Sequence, residues 1–94
     1  MIQHLANKII ASEKIKGTTI TATVQQMGVY TRLWLTATVE YYGFHPQEKT
    51  FYTDLMPDMD SEHYEAAIYA KIDEIEAFKK EVFSECEIIE KQYN

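Results

Sequence analysis

The apolar stripe in the last third of the chain is the feature that most constrains its fold. Between residues 61 and 92 there is no glycine or proline, and apolar side chains recur every three or four residues. This is the spacing of one face of an α-helix. The stripe comprises Tyr64, Ile68, Ile72, Ile75, Phe78, Val82, Cys86, Ile89 and Tyr93. We predict a single helix over residues 61–92, with Asp60 or Ser61 as its N-cap.

A helix of this length is too long for a sheet in a 94-residue chain to cover. At about 1.5 Å per residue it spans roughly 46 Å, whereas a compact domain of this size is about 32 Å across. The helix therefore either breaks, near residues 78–81, or extends its stripe to another chain. Aliphatic residues also recur every seven positions, as in a coiled coil, at Ile68, Ile75, Val82 and Ile89. We therefore expect a homo-oligomer, with a dimer favoured.

The first half of the chain predicts a helix followed by strands. Apolar residues from Ile2 to Ile10 share one helical face, and Gly17 can end the helix, so we predict a helix over residues 2–15. Beyond Gly17 apolar and polar residues alternate, with a turn at Gly28, which is the pattern of antiparallel strands. The strands are predicted at residues 18–27, 31–42 and 49–53. Their core residues are predicted to include Ile20, Val24, Leu33, Leu35 and Val39.

These elements predict an α+β fold in a single domain of residues 1–94. A three-stranded antiparallel sheet (a meander) is flanked by an N-terminal helix and a long acidic C-terminal helix, in the order α-β-β-β-α. That order resembles the double-stranded RNA-binding domain, which implies contact with RNA through lysines at the start of the last helix. The corresponding residues here are Ser61, Glu62, His63, Tyr64 and Glu65. Because the two glutamates would repel RNA, we expect no direct binding of nucleic acid.

Charge is divided unequally along the chain. Residues 1–53 hold five Lys/Arg and three Asp/Glu, whereas residues 54–94 hold four lysines and twelve Asp/Glu. The formal net charge of −6 therefore originates in the second part, which contains the predicted long helix. Such a concentrated field attracts cationic surfaces and repels nucleic acid. The carboxylates that we expect to contact a partner are Glu62, Glu65, Asp73, Glu76, Glu81, Glu85, Glu87 and Glu90.

This distribution indicates a non-enzymatic inhibitor or adaptor that presents its acidic helix to a basic surface of a partner protein. Carboxylates along a helix can imitate the charge of a row of phosphates, so the partner could be a nucleic-acid-handling or phage-defence protein. In size and composition the chain resembles small acidic proteins that bacteriophages use against host nucleases and defence systems. That resemblance implies nucleic-acid mimicry.

A second candidate surface is the polar face of the strand predicted over residues 31–42. Arg32, Trp34 and Tyr42 share this face, and these residue types most often anchor interfaces. If the face is exposed, the chain is instead a small oligomer that binds a nucleotide-like molecule. A third hypothesis is a structural or assembly protein without a ligand, in which the acids only maintain solubility.

No motif indicates catalysis, a cofactor or a metal. Cys86 lies on the apolar stripe, and the serines lie outside known nucleophile motifs. The acids of residues 58–62 lack the glycine of a calcium loop and are interpreted as helix-capping residues. A lone cysteine, the absence of a signal peptide and the absence of a long apolar run predict a cytoplasmic protein without membrane contact.

Overall fold

The structure is a computed structural model that describes residues 2–92, with side chains described from His4 onward. Its elements are α1 (Ile2–Ile10), a short 3₁₀ helix (Glu13–Ile15), β1 (Thr19–Met27), β2 (Tyr30–Val39), β3 (Gln47–Leu55) and α2 (Ser61–Gln92). The predicted α+β fold, with three antiparallel strands between two helices, is confirmed. Tyr93, the last residue of the predicted stripe, lies outside the described residues.

The N-terminal helix is shorter than predicted, because a continued helix would bury the wrong residues. At about 100° per residue, it would align Ser12 and Glu13 with the buried Ile9 and turn Ile15 about 120° away from the core. Instead α1 ends at Ile10, and the 3₁₀ helix that follows directs Ile15 into the core. Ile15 is only 2% exposed there.

The sheet has the order β1-β2-β3, with antiparallel pairing throughout. Gly28 and Val29 form a two-residue turn between the paired Met27 and Tyr30. Gly28 has a φ of 79°, a positive value that a hairpin turn of this kind requires at its first position and that glycine adopts at little cost. The turn therefore determines the register of β1 against β2.

β2 ends three residues before its predicted end, and β3 extends further than predicted in both directions. Past Val39 the chain leaves the sheet, and the Tyr41 ring packs edge-on against Phe44 and Phe83 at centroid distances of 5.6 and 5.5 Å. These aromatic contacts connect the β2–β3 loop to α2. They enlarge the core beyond the last pair of the ladder, Val39 with Gln47.

Both helices pack on one face of the sheet. Alternate residues of β2 are buried on that face, and α2 contributes its stripe as far as Cys86. The buried residues are Leu5, Ala6, Ile9, Ile15, Leu33, Leu35, Ala37, Val39, Phe51, Leu55, Ile68, Ile72, Ile75, Phe78, Val82 and Cys86. The other face of the sheet carries polar side chains that are exposed or half-buried, so this face is open to solvent.

Candidate functional site

α2 is one uninterrupted helix of 32 residues, without the break considered near residues 78–81. The molecule is accordingly elongated, with extents of 54 × 22 × 15 Å. Ring contacts help to hold the middle of the helix on the rest of the fold: Phe78 packs against Phe51 at 6.1 Å, and Phe83 packs against Tyr41. Past Cys86 the apolar residues of α2 are no longer covered, since Ile89 of the stripe is 42% exposed and its neighbour Ile88 is 58% exposed.

The acids predicted to contact a partner all lie on α2, where seven are exposed and Glu76 is half-buried. They occupy both flanks of the buried stripe rather than one narrow face. In the first part of the helix, lysines neutralise some of the acids. Lys14 Nζ lies 3.2 Å from Asp73 Oδ1, and Lys80 Nζ lies 3.7 Å from Glu76 Oε1. The negative field of this part is therefore reduced.

The last three turns of α2 retain their charge. Among residues 2–92, no cationic group lies within ion-pair distance of the glutamates of this segment. These glutamates are Glu81, Glu85, Glu87 and Glu90, and all are exposed. We call residues 81–92 the acidic end of α2. Its carboxylates can form ion pairs with a partner without breaking an existing one.

A wide groove of about 670 Å³ lies between the β2–β3 loop and the acidic end of α2. Its walls combine aromatic rings with two carboxylates: Glu40, Tyr41, Tyr42, Gly43, Phe44, Phe83 and Glu90. Aromatic faces and carboxylates both attract cations. The groove therefore has the chemistry to receive a lysine or arginine side chain.

Tyr42 belongs to this groove and not to the face of Trp34. Because β2 ends at Val39, Tyr42 lies in a turn outside the strand, where it is 99% exposed. Its neighbour Tyr41 faces the helix. Burial raises the pKa of the Tyr41 phenol above its ordinary value, and the carboxylates of Glu90 and Glu87 raise it further. The phenol thus remains a neutral hydrogen-bond donor beside two acids.

Arg32 and Trp34 lie on the open face of the sheet, where their binding groups are already engaged. Arg32 Nε and Nη2 donate to the two carboxylate oxygens of Asp54 at 2.7 and 3.0 Å. The guanidinium also lies 4.1 Å from the ring centre of Tyr52 and 5.3 Å from that of Trp34. Trp34 Nε1 donates to Gln25 Oε1 at 2.8 Å. This cluster connects all three strands, and a ligand of Arg32 would have to displace Asp54.

Asp60, in the acidic segment before α2, is the N-cap of this helix. Its Oδ1 accepts the backbone N–H of His63 at 2.9 Å and contacts His63 Nδ1 at 2.6 Å. The backbone bond, and then the histidine side chain, hold the pKa of Asp60 below its ordinary value. Within residues 2–92, no three His, Cys, Asp or Glu side chains are grouped to hold a metal ion.

We expect Asp60→Ala to lower the Tm by about 4–8 °C, because the first turn of α2 loses its cap. Since the pKa is depressed in the folded state, this contribution is present above the ordinary pKa and lost as the pH falls through the folded value. Thermal melts at neutral and acidic pH measure both effects. Asp58→Ala is the matched control, and an equal loss in the control would contradict the capping role.

None of the helices in residues 2–92 is both long enough and apolar enough to span a membrane. Comparison of the chain with protein-family models, with curated proteins and with solved structures found no match.

Proposed function

We propose that this protein is a non-enzymatic, cytoplasmic inhibitor or adaptor that binds a partner protein by placing the acidic end of α2 on a basic surface. The observation that carries the proposal is the set of exposed glutamates in that segment, none of which has a cationic group of the described residues within ion-pair distance. A partner that supplies lysines or arginines forms new ion pairs there, and association is accelerated by the long-range field.

Two further features allow the acidic end of α2 to make contacts other than ion pairs. Ile88 and Ile89 are exposed beside the glutamates, so apolar contact can accompany the ion pairs. The groove at Tyr42, whose lining includes Glu40 and Glu90, has the charge and the aromatic rings to attract a basic side chain. A basic surface shaped to bind nucleic acid offers such side chains in a row, which makes a nucleic-acid-handling protein the class of partner that we favour.

The alternative of a nucleotide-like ligand on the open face of the sheet has less support. It requires Arg32, Trp34 and Tyr42 to act together. Arg32 is instead held by both oxygens of Asp54, and Tyr42 lies in the groove beside α2. No specific observation supports the hypothesis of a structural protein without a ligand.

The test is affinity capture from lysate of the producing cells at low ionic strength, followed by titration of the purified partner. We expect Glu81→Lys/Glu85→Lys to weaken binding by about tenfold or more, and we expect high salt to weaken the wild type similarly. Glu62→Lys/Glu65→Lys makes the same charge change at the other end of α2 and is the matched control. We expect the control to weaken binding less.

Three outcomes would contradict the proposal. One is the failure of the wild type to capture any partner at low salt. Another is binding that persists in high salt and in Glu81→Lys/Glu85→Lys but is lost in Trp34→Ala, which would favour a site on the open face of the sheet. The last is an equal loss in both charge-reversal variants, which would show that overall charge matters and the acidic end does not.

A further inference from the structure

β1 is an edge strand without the features that normally prevent edges from pairing. Within the described residues it has a neighbouring strand on one side only. Its nine residues include no charge, proline or glycine, although natural edges usually carry such residues. The opposite edge, β3, is protected. It contains Glu48, Lys49 and Asp54, and Lys71 of α2 places its Nζ 5.9 Å from the ring centre of Tyr52.

The turn at Gly28 determines which backbone groups of β1 point outward. A two-residue hairpin loop makes Met27 and Tyr30 a hydrogen-bonded pair, and such pairs alternate with non-hydrogen-bonded ones along the ladder. The N–H and C=O groups of the intervening residues are therefore directed away from β2. These residues are Ile20, Ala22, Val24 and Gln26.

We infer that β1 pairs antiparallel with β1 of a second copy, about a two-fold axis at Thr23, so that two sheets join into one. This register pairs all nine residues of the strand and keeps the helix-covered faces of both sheets on the same side. It places Thr23 opposite Thr23 of the second copy. It also places Ala22 opposite the second copy's Val24, in a pair that exchanges backbone hydrogen bonds.

Charge and burial both favour a second copy as the occupant of this edge. Each chain has a net charge of −6, but α2 packs over β2 and β3, away from the β1 edge. Two copies therefore meet through an uncharged strand, with their acidic helices on the outer sides. Val24 is 49% exposed although it lies on the helix-covered face, and pairing would cover it. One strand buries less than the roughly 800 Å² per partner of a standard complex, so the dimer dissociates on dilution.

Disulfide trapping tests the register. In a non-hydrogen-bonded antiparallel pair the opposed Cα atoms lie about 4.5 Å apart, which is within the range of a disulfide. We expect Thr23→Cys to form a cross-linked dimer on mild oxidation. Thr21→Cys should not, because that residue would face Gln25 of the second copy. Cys86 is 2% exposed and does not compete. Cross-linking of both variants, or of neither, would overturn the inference.

Sedimentation across a dilution series tests the interface without a covalent bond. We expect the wild type to form a dimer that dissociates on dilution, and Thr23→Lys to be monomeric because two lysines would face each other. Thr50→Lys makes the same change on β3 and should still dimerise; circular dichroism confirms that each variant is folded. A wild type that stays monomeric throughout would overturn the inference. So would a dimer that persists in Thr23→Lys but is lost in Ile89→Lys, which would locate the interface on α2.

Discussion

Ile75→Ala is expected to lower the free energy of unfolding by about 2–5 kcal/mol, the range for a large aliphatic side chain removed from a packed core. Ile75 is fully buried, at 0% exposure, in the middle of the stripe where α2 crosses the sheet. A small domain is stabilised by only about 5–15 kcal/mol in total. Urea denaturation monitored by circular dichroism should therefore show a large decrease in the midpoint, with little change in the slope.

Ile88→Ala is the matched control, because it makes the same substitution on the same helix at a site that is 58% exposed. Its effect should stay within about 0.5 kcal/mol. If Ile88→Ala were as destabilising as Ile75→Ala, α2 would be covered on a different face from the one that the structure shows. The pair of variants therefore tests the orientation of the helix on which the proposed binding segment depends.

The long helix could be predicted because its signal is local. Three- and four-residue spacings identify the stripe, and its members from Ile68 to Cys86 are buried as that pattern predicts. The spacing does not reveal where the covering surface ends, and Ile89 fits the stripe although it is 42% exposed. The alternation of apolar and polar residues in β1 likewise predicts Val24 in the core. Val24 is instead 49% exposed, because β1 is an edge strand that the helices cover only in part.

The candidate site depends on contacts between distant parts of the chain, and the spacing of apolar and polar residues in the sequence does not reveal such contacts. The sequence shows which residues of α2 are acidic, but Asp73 is neutralised by Lys14, 59 residues away. The alternating pattern continues past Val39 and therefore predicts Tyr42 on the same face as Trp34, but the strand ends at Val39. The ring contacts of Tyr41 with Phe44 and Phe83 end the alternation, and only the packed structure shows them.

Arg32→Ala is expected to lower the Tm by about 10 °C at neutral pH. The substitution removes two charge-assisted hydrogen bonds to Asp54 and the contact of the guanidinium with Tyr52 and Trp34. It also leaves Asp54, a half-buried carboxylate, without its cation. Arg32→Lys should recover little of the loss, because an ammonium group cannot reproduce the two-point geometry. Thermal melts of the three proteins measure the effect.

The decrease in Tm caused by Arg32→Ala should depend on pH, because the pKa of Asp54 differs between the folded and the unfolded chain. Hydrogen bonding to Arg32 holds the pKa of Asp54 below its ordinary value of 3.8. The unfolded chain therefore binds a proton more readily than the folded one, and the stabilisation is complete above that value. It disappears as the pH falls through the folded pKa, so the difference in Tm between wild type and Arg32→Ala should narrow in acid.

Lys14→Ala is the control for Arg32→Ala, because it removes an ordinary surface ion pair. Lys14 and Asp73 are 58% and 62% exposed, whereas Arg32 and Asp54 are 19% and 33% exposed. Solvent screens the pair of Lys14 and Asp73, so the loss of this pair should change the Tm by no more than about 3 °C. An effect of Arg32→Ala as small as that of Lys14→Ala would contradict a stabilising role for the cluster. A ligand could then displace Asp54 from Arg32 at little cost to stability, and the open face of the sheet would become the stronger candidate site.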